Sequence, residues 1–360
     1  MSLAVPRLTL VDRYVVLHFC KSAAVVLALL LALFGFMTLT EELEDVGVGS
    51  FTTIDAIAVV ILTTPTRIIE LLPVTTLLGS VLGLGTLANH GELLALRAAG
   101  LSPWRIARGL LVATAVLIVL AMAARATVVP MVERQAQEYR SKTLPQTAIG
   151  GAEFWSRSDN RFLRVGGVDF GRIPREIEIY ELGVRGRLQR LLQADKADIV
   201  DARTWLLHDV DERVLGDDSV AHRRMATLEW QSFLTPEQLA TLIAPAHALS
   251  VFDLYAYIRE MRGSGVDTRE YQAMFWQQLA LPGALLAMTL LGLPFVLAGT
   301  RSRTPGTRVV AGGVAGVGFY LFNQITSHLA TLLDLPPAPT ALAPSALLLL
   351  VAVLAIRRAS

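Results

Sequence analysis

Apolar residues are grouped at the two ends of the chain in long runs without a break. Residues 22–40, 71–89, 271–300, 309–333 and 335–356 contain no Asp, Glu, Lys or Arg, and residues 109–124 form a slightly shorter sixth run. A helix needs about 20 such residues to cross a hydrocarbon core of about 30 Å. The pattern therefore predicts six membrane-spanning helices, three before residue 130 and three after residue 269. The first run is too long for the apolar core of a cleaved signal and is not followed by a small-residue cleavage site, so it reads as a retained span.

Between the two sets the period changes. Ile177, Ile179 and Leu182 interleave with Glu176, Glu178 and Glu181, and Trp205, Leu207, Leu228 and Trp230 belong to similar alternating stretches. Alternation of this kind predicts half-buried strands, with turns at Ser158-Asp159-Asn160, Gly166-Gly167 and Gly216-Asp217-Asp218. Ser250 then caps an amphipathic helix over about 250–262 that carries Leu254, Tyr257 and Ile258. Asp267 with Glu270 forms a capping box opening the fourth span. The fold class is an α-helical membrane protein with an inserted all-β domain, a sandwich or jelly roll. Residues 1–129 hold spans 1 to 3, 130–269 the β domain and its connecting helix, and 270–360 spans 4 to 6.

Composition agrees. Of 360 residues, 53% are hydrophobic and only 18% charged, and the mean hydropathy is +0.51. That is too little charge for an ordinary soluble enzyme. With 32 basic against 31 acidic residues, no basic excess marks a nucleic-acid binder. Cys20 is the single cysteine, which excludes an intrachain disulfide.

Basic residues set the orientation. Arg7, Arg13 and Lys21 flank span 1; Arg97, Arg105 and Arg108 lie between spans 2 and 3; Arg301, Arg303 and Arg308 join spans 4 and 5; Arg357 and Arg358 end the chain. All four sets fall on one side, which predicts cytoplasmic termini and an outside location for the β domain. The opposite flanks carry Glu41, Glu42, Glu44, Asp45 and Asp334.

Several chemistries lack sequence support. Lys21, Lys142 and Lys196 are the only lysines and none follows a glycine, so there is no phosphate-binding Gly-Lys loop. The six histidines form no spaced metal pair, and no Gly-x-Ser-x-Gly elbow is present. The expectation is a chain without catalytic residues, metal or cofactor of its own. Gly79, Gly83 and Gly85 in span 2, like Gly312 and Gly316 in span 5, read as close helix packing.

The cytoplasmic segment between spans 2 and 3 has more to say. Asn89 and Glu92 fit a capping box, Leu93, Leu94 and Leu96 give an apolar face, Gly100 stops the helix, and Ser102-Pro103 restarts it. A short helix over about 89–101 follows, either buried among headgroups or docked in a groove on a cytoplasmic partner.

This run, Leu-Gly-Leu-Gly-Thr-Leu-Ala-Asn-His-Gly-Glu-Leu-Leu-Ala-Leu-Arg-Ala-Ala-Gly-Leu-Ser, with the three-plus-three spans and the outside β domain, resembles the LptF/LptG permeases of the bacterial lipopolysaccharide exporter. Val-Asp-Arg-Tyr at 11–14, Gly-Val-Gly-Ser-Phe at 47–51 and Gly-Phe-Tyr-Leu-Phe-Asn-Gln-Ile at 318–325 resemble the LptG branch over the LptF branch. The resemblance implies an ABC-type complex in the inner membrane. Two LptB subunits bind ATP and magnesium and dock on the short helices, here through Glu92, Leu93, Leu96, Arg97 and Gly100. LptF is the membrane partner, LptC binds alongside, LptA is reached through LptC, and lipopolysaccharide is the cargo. It further implies lateral gates at spans 1 and 5, where Phe34, Phe36, Met37, Phe319, Tyr320 and Phe322 are the candidates.

Counting about 20 residues outward from each cytoplasmic flank brings further charges to the outer interface. Arg67, Arg125, Arg134 and Arg140 form a candidate set for anionic headgroups, because guanidinium binds phosphate in a bidentate manner. The simpler reading pairs Arg67 with Glu70 at i, i+3. Relatives that carry lysines after span 1 differ from this chain, which has Thr38, Glu44 and Asp45 there. A secondary transporter would need charges near the bilayer midplane, and the count finds none. A membrane scaffold presenting a β domain, and the paralogous LptF role, are the competing readings.

Overall fold

The computed structural model describes residues 9–143, 335–359, and 154–333 apart from 159, 170–172, 184–186, 202, 217–219, 235–248, 262–267 and 298–304. Among them run eight helices and six strands. In order these are α1 (Leu10–Glu44), α2 (Thr53–Asn89), α3 (Glu92–Ala98), α4 (Pro103–Thr143), β1 (Phe154–Ser158), β2 (Arg161–Asp169), β3 (Ile173–Leu182), β4 (Leu188–Ile199), β5 (Thr204–Leu215), β6 (Val220–Gln231), α5 (Val251–Met261), α6 (Arg269–Leu297), α7 (Pro305–Leu332) and α8 (Pro337–Ala359).

Among the described residues, five helices, α1, α2, α4, α6 and α8, are long and apolar enough to cross a membrane. The fifth apolar run of the sequence forms α7, 28 residues long. Two helices start at capping boxes that the sequence reading did not single out. The backbone N–H and hydroxyl of Thr9 donate to Asp12 at 2.9 Å, and those of Thr52 donate to Asp55 at 2.7 Å. Pro65 and Pro73 both lie inside α2, so residues 56–66 continue the same helix.

The chain divides into two compact units, residues 1–37, 64–128 and 272–360 in one, and residues 38–63 and 129–271 in the other. The second unit thus takes the last turns of α1 and the first turns of α2 along with the middle segment.

Glycines set the packing of the helical unit. A Cβ on Gly79 would lie 2.8 Å from the Cβ of Ala23, and one on Gly83 would lie 3.1 Å from the carbonyl of His18, so α1 and α2 meet backbone to backbone. Gly312 and Gly316 of α7 similarly abut Leu78 and Val74 of α2, whereas Gly85 faces open space. Phe19, Leu77, Leu84, Ile106 and Met288 fill the core, and a buried hydroxyl pair, Thr114 and Thr289 at 2.9 Å, joins α4 to α6.

In the other unit the strands form one antiparallel sheet in the order β1-β2-β3-β4-β5-β6. The expectation allowed a sandwich or a jelly roll; the described strands make a single set of sequential hairpins. The core-facing positions change phase at one row across it. Pro174 is followed by Ile177, Ala194 by Ala197, and Leu207 by Val210, a step of three where regular alternation gives two. At that row Glu176 and Asp209 adopt left-handed backbone, with φ of 49° and 52°.

Gly166 lies in the same row, inside β2. The turn predicted at Gly166-Gly167 is therefore corrected: a Cβ on Gly166 would fall 2.6 Å from Oε2 of Glu176, so the glycine makes room for a side chain from the next strand. The Arg161 guanidinium of β2 stacks over Phe233 at 5.5 Å and donates to the carbonyl of Gln231. The sheet thus coils until β2 reaches the end of β6.

Ser250 caps α5, as the sequence predicts, and Asp253 completes the cap reciprocally. Tyr257 of α5 packs in the sheet's core, 4.3 Å from Tyr271, and burial pushes its phenol well above the ordinary range. Asp267 of the other predicted cap lies outside the described residues, as do Asp217 and Asp218 of the predicted hairpin turn.

Candidate functional site

The short helix between spans 2 and 3 is α3. Its start corrects the expected capping box. Asn89 is the last residue of α2, and Gly91, at φ 77°, precedes Glu92 with no side-chain cap. The Glu92 carboxylate instead accepts a 2.9 Å hydrogen bond from the Tyr14 hydroxyl of α1. A local motif was displaced by a partner 78 residues away, because the left-handed glycine turns the chain before Asn89 can reach back. The other end behaves as predicted. Gly100, at φ 87°, donates to the carbonyl of Arg97 while Leu101 donates to that of Leu96, a Schellman stop, and Ser102 caps α4 at Pro103.

Leu93 is 1% exposed and joins the core made by Val15, Leu87 and Ile106. Leu96 is half-buried, while Arg97 and Gly100 are exposed. Leu94, which the family-based set omits, is 69% exposed beside them. Beneath the helix, the carboxylate of Asp12 is 1% exposed, bonded to Thr9 and 3.6 Å from Arg105, which also donates to Thr9 at 3.1 Å. The beginnings of α1 and α4 are thus held together, and α3 is set against them. Asp12 carried no signal in sequence beyond its place three residues after a threonine.

The four candidate headgroup arginines are divided between the two units: Arg67 and Arg125 belong to the first, Arg134 and Arg140 to the second. Arg67 pairs with Glu70 at 2.9 Å. Arg125 is half-buried, with its Nε shielded and without a hydrogen-bond partner among the described residues. Arg134 is exposed. Arg140 forms an ion pair with Glu42, a carboxylate only 4% exposed, and burial pushes its guanidinium below the ordinary value. Beside it Tyr139 hydrogen-bonds to Asp55, which raises the phenol. The acidic end of α1 therefore supplies a structural partner in Glu42. Phe34, Phe36, Met37, Tyr320 and Phe322 are exposed on the chain's surface, whereas Phe319 packs against the helical core.

Spans built on glycine contacts, an inserted antiparallel sheet and a short helix on the loop between spans 2 and 3 define a multi-pass membrane protein with an inserted β domain. The chain matches the family described as "Lipopolysaccharide export system permease LptF/LptG" over residues 13–358, and it belongs to that family. It is 29% identical over 353 residues to the lipopolysaccharide export system permease protein LptG of Escherichia coli (strain K12), covering 97% of this chain and 98% of that protein. It is 28% identical over 339 residues to the LptG protein of Haemophilus influenzae, with 93% and 95% covered.

Proposed function

We propose that this chain is the LptG-type transmembrane subunit of an ABC lipopolysaccharide exporter, taking lipopolysaccharide from the outer leaflet of the inner membrane and passing it to a periplasmic bridge. An LptB dimer binds ATP and magnesium and supplies the work, LptF is the membrane partner, and LptC leads on to LptA; this chain hydrolyses nothing itself. The observation that carries the reading is the family match over nearly the whole chain together with α3, which anchors Leu93 inward and leaves Leu94 and Arg97 exposed. Exposed apolar residues beside a charge are what a docking groove recognises. Termini in the cytoplasm and residues 130–269 in the periplasm follow from the arginine asymmetry. Arg125 and Arg134 lead the headgroup set, since Arg67 and Arg140 must first release Glu70 and Glu42.

The complex purified from membranes and reconstituted in proteoliposomes with lipopolysaccharide tests this. Leu94→Asp lowers the ATPase recovered with the chain by about tenfold or more, the loss expected of a central interface anchor. Unchanged recovery with Leu94→Asp and Arg97→Glu combined would overturn docking through α3. Arg125→Glu/Arg134→Glu keeps ATPase recovery and reduces lipopolysaccharide crosslinking; full crosslinking would place headgroup recognition on the partner subunit.

A further inference from the structure

We propose that Tyr14 is a positioning residue: its hydroxyl, bonded to Glu92, holds α3 to α1 and passes any displacement of α3 to the first span. This rests on the reading that an ATPase docks on α3. It adds the route by which the load enters the membrane unit.

The geometry leaves few routes. At seven residues α3 is far below the about 12–15 at which a helix holds its own shape, so its position is set by what it touches. Gly91 and Gly100 bound it with left-handed backbone at φ 77° and 87°, two joints that separate its orientation from those of α2 and α4. Leu93 is its one fully buried side chain. Apolar packing of this kind is non-directional and resists a push toward the core better than a slide along it. The Tyr14–Glu92 bond, 2.9 Å long and accepted by a carboxylate, is directional and stronger than a neutral pair.

Tyr14 is firmly mounted on its own helix. Its ring lies 4.4 Å from that of His18, whose Nδ1 is 3.0 Å from the Tyr14 carbonyl, and the His18 backbone meets Gly83 of α2. Just before it, Asp12 is bonded to Thr9 and paired with Arg105. The helix so tied is also lightly held by the rest of the chain. Only 11% of the apolar span of α1 is buried within the protein, against 61% for α2 and 67% for α6. A given displacement therefore breaks fewer in-chain contacts at α1 than at α2 or α6. Phenol and carboxylate together thus link the helix that receives the load to a span lightly held within the chain.

Two measurements on the full chain test the proposal. Amide hydrogen exchange of the chain alone in nanodiscs reads the tether without any partner. Tyr14→Phe raises exchange in residues 92–98 about tenfold, the fold-change that one hydrogen bond to a charged group corresponds to, and leaves residues 15–35 unchanged. In the reconstituted complex, Tyr14→Phe keeps ATPase recovery and lowers lipopolysaccharide released per ATP hydrolysed by a similar factor. Glu92→Gln retains an acceptor and falls less than Glu92→Ala, and Tyr14→Phe/Glu92→Ala is no worse than Glu92→Ala alone. Unchanged exchange in Tyr14→Phe overturns the tether. Raised exchange with unchanged release per ATP, or additive losses in the double variant, overturns the transmission. If the unmodified chain recovers no ATPase, the docking reading fails, while the exchange result still decides the tether.

Discussion

At the scale of single residues, several charged groups of this chain are held by partners distant in sequence. Glu92 meets Tyr14, Arg140 meets Glu42, and Arg190 of β4 bonds Glu212 of β5 at 2.7 Å. Glu178 shows the consequence for stability. The Tyr180 hydroxyl at 2.6 Å, followed by Gln193 and Arg164, holds its carboxyl below the ordinary value. A carboxylate with a lowered folded pKa stabilises the fold above its ordinary pKa of about 4.3, and that contribution disappears as pH falls through the lowered value. Glu178→Gln is therefore expected to destabilise the β unit by about 1 kcal/mol at pH 7. The deficit should be smaller at pH 3 than at pH 7. Thermal unfolding of the full chain in detergent, followed by tryptophan fluorescence at both pH values, checks this; an equal deficit at both would refute the assignment.

At the scale of elements, helix contacts depend on which face each glycine occupies. Gly79 and Gly85 look alike in sequence, yet one abuts Ala23 at 2.8 Å and the other meets nothing within 4 Å. Gly79→Ala must push α1 off α2 and is expected to destabilise the helical unit by about 1–3 kcal/mol. Gly85→Ala should be neutral or stabilise by up to about 1 kcal/mol, since it only removes glycine's helix penalty. Detergent melting points of the two variants provide the comparison, and equal effects would show that the contact carries no weight. The sheet has a similar hidden distinction. Gly166-Gly167 reads as a turn by composition, but Glu176 of the next strand lies over Gly166, and the strand continues through it.

At the scale of the whole molecule, topology is the property to test. The arginine asymmetry predicts α3 in the cytoplasm and the sheet in the periplasm. In a Cys20→Ala background, Val220→Cys, on an exposed position of β6, should react with an impermeant thiol reagent in intact spheroplasts. Ala98→Cys, exposed on α3, should react only after the membrane is broken. The reverse pattern would invert the orientation.

The division between sequence and tertiary structure follows the range of the interactions. Spans, strands, the Gly100 stop and the caps at Ser102 and Ser250 depend on neighbours within a few residues, so composition and period determined them. The short helix α3 was legible for the same reason. The partner of Glu92, the burial of Leu93 against Val15 and the exposure of Leu94 were not, because all three leucines of that helix look alike until α1 and α4 are placed beside it. The pairing of Arg140 with Glu42 and the phase change at the Glu176–Asp209 row likewise join residues that are remote in the chain. A one-dimensional period carries apolar content and turn chemistry; which face of an element meets which neighbour is decided by packing in three dimensions.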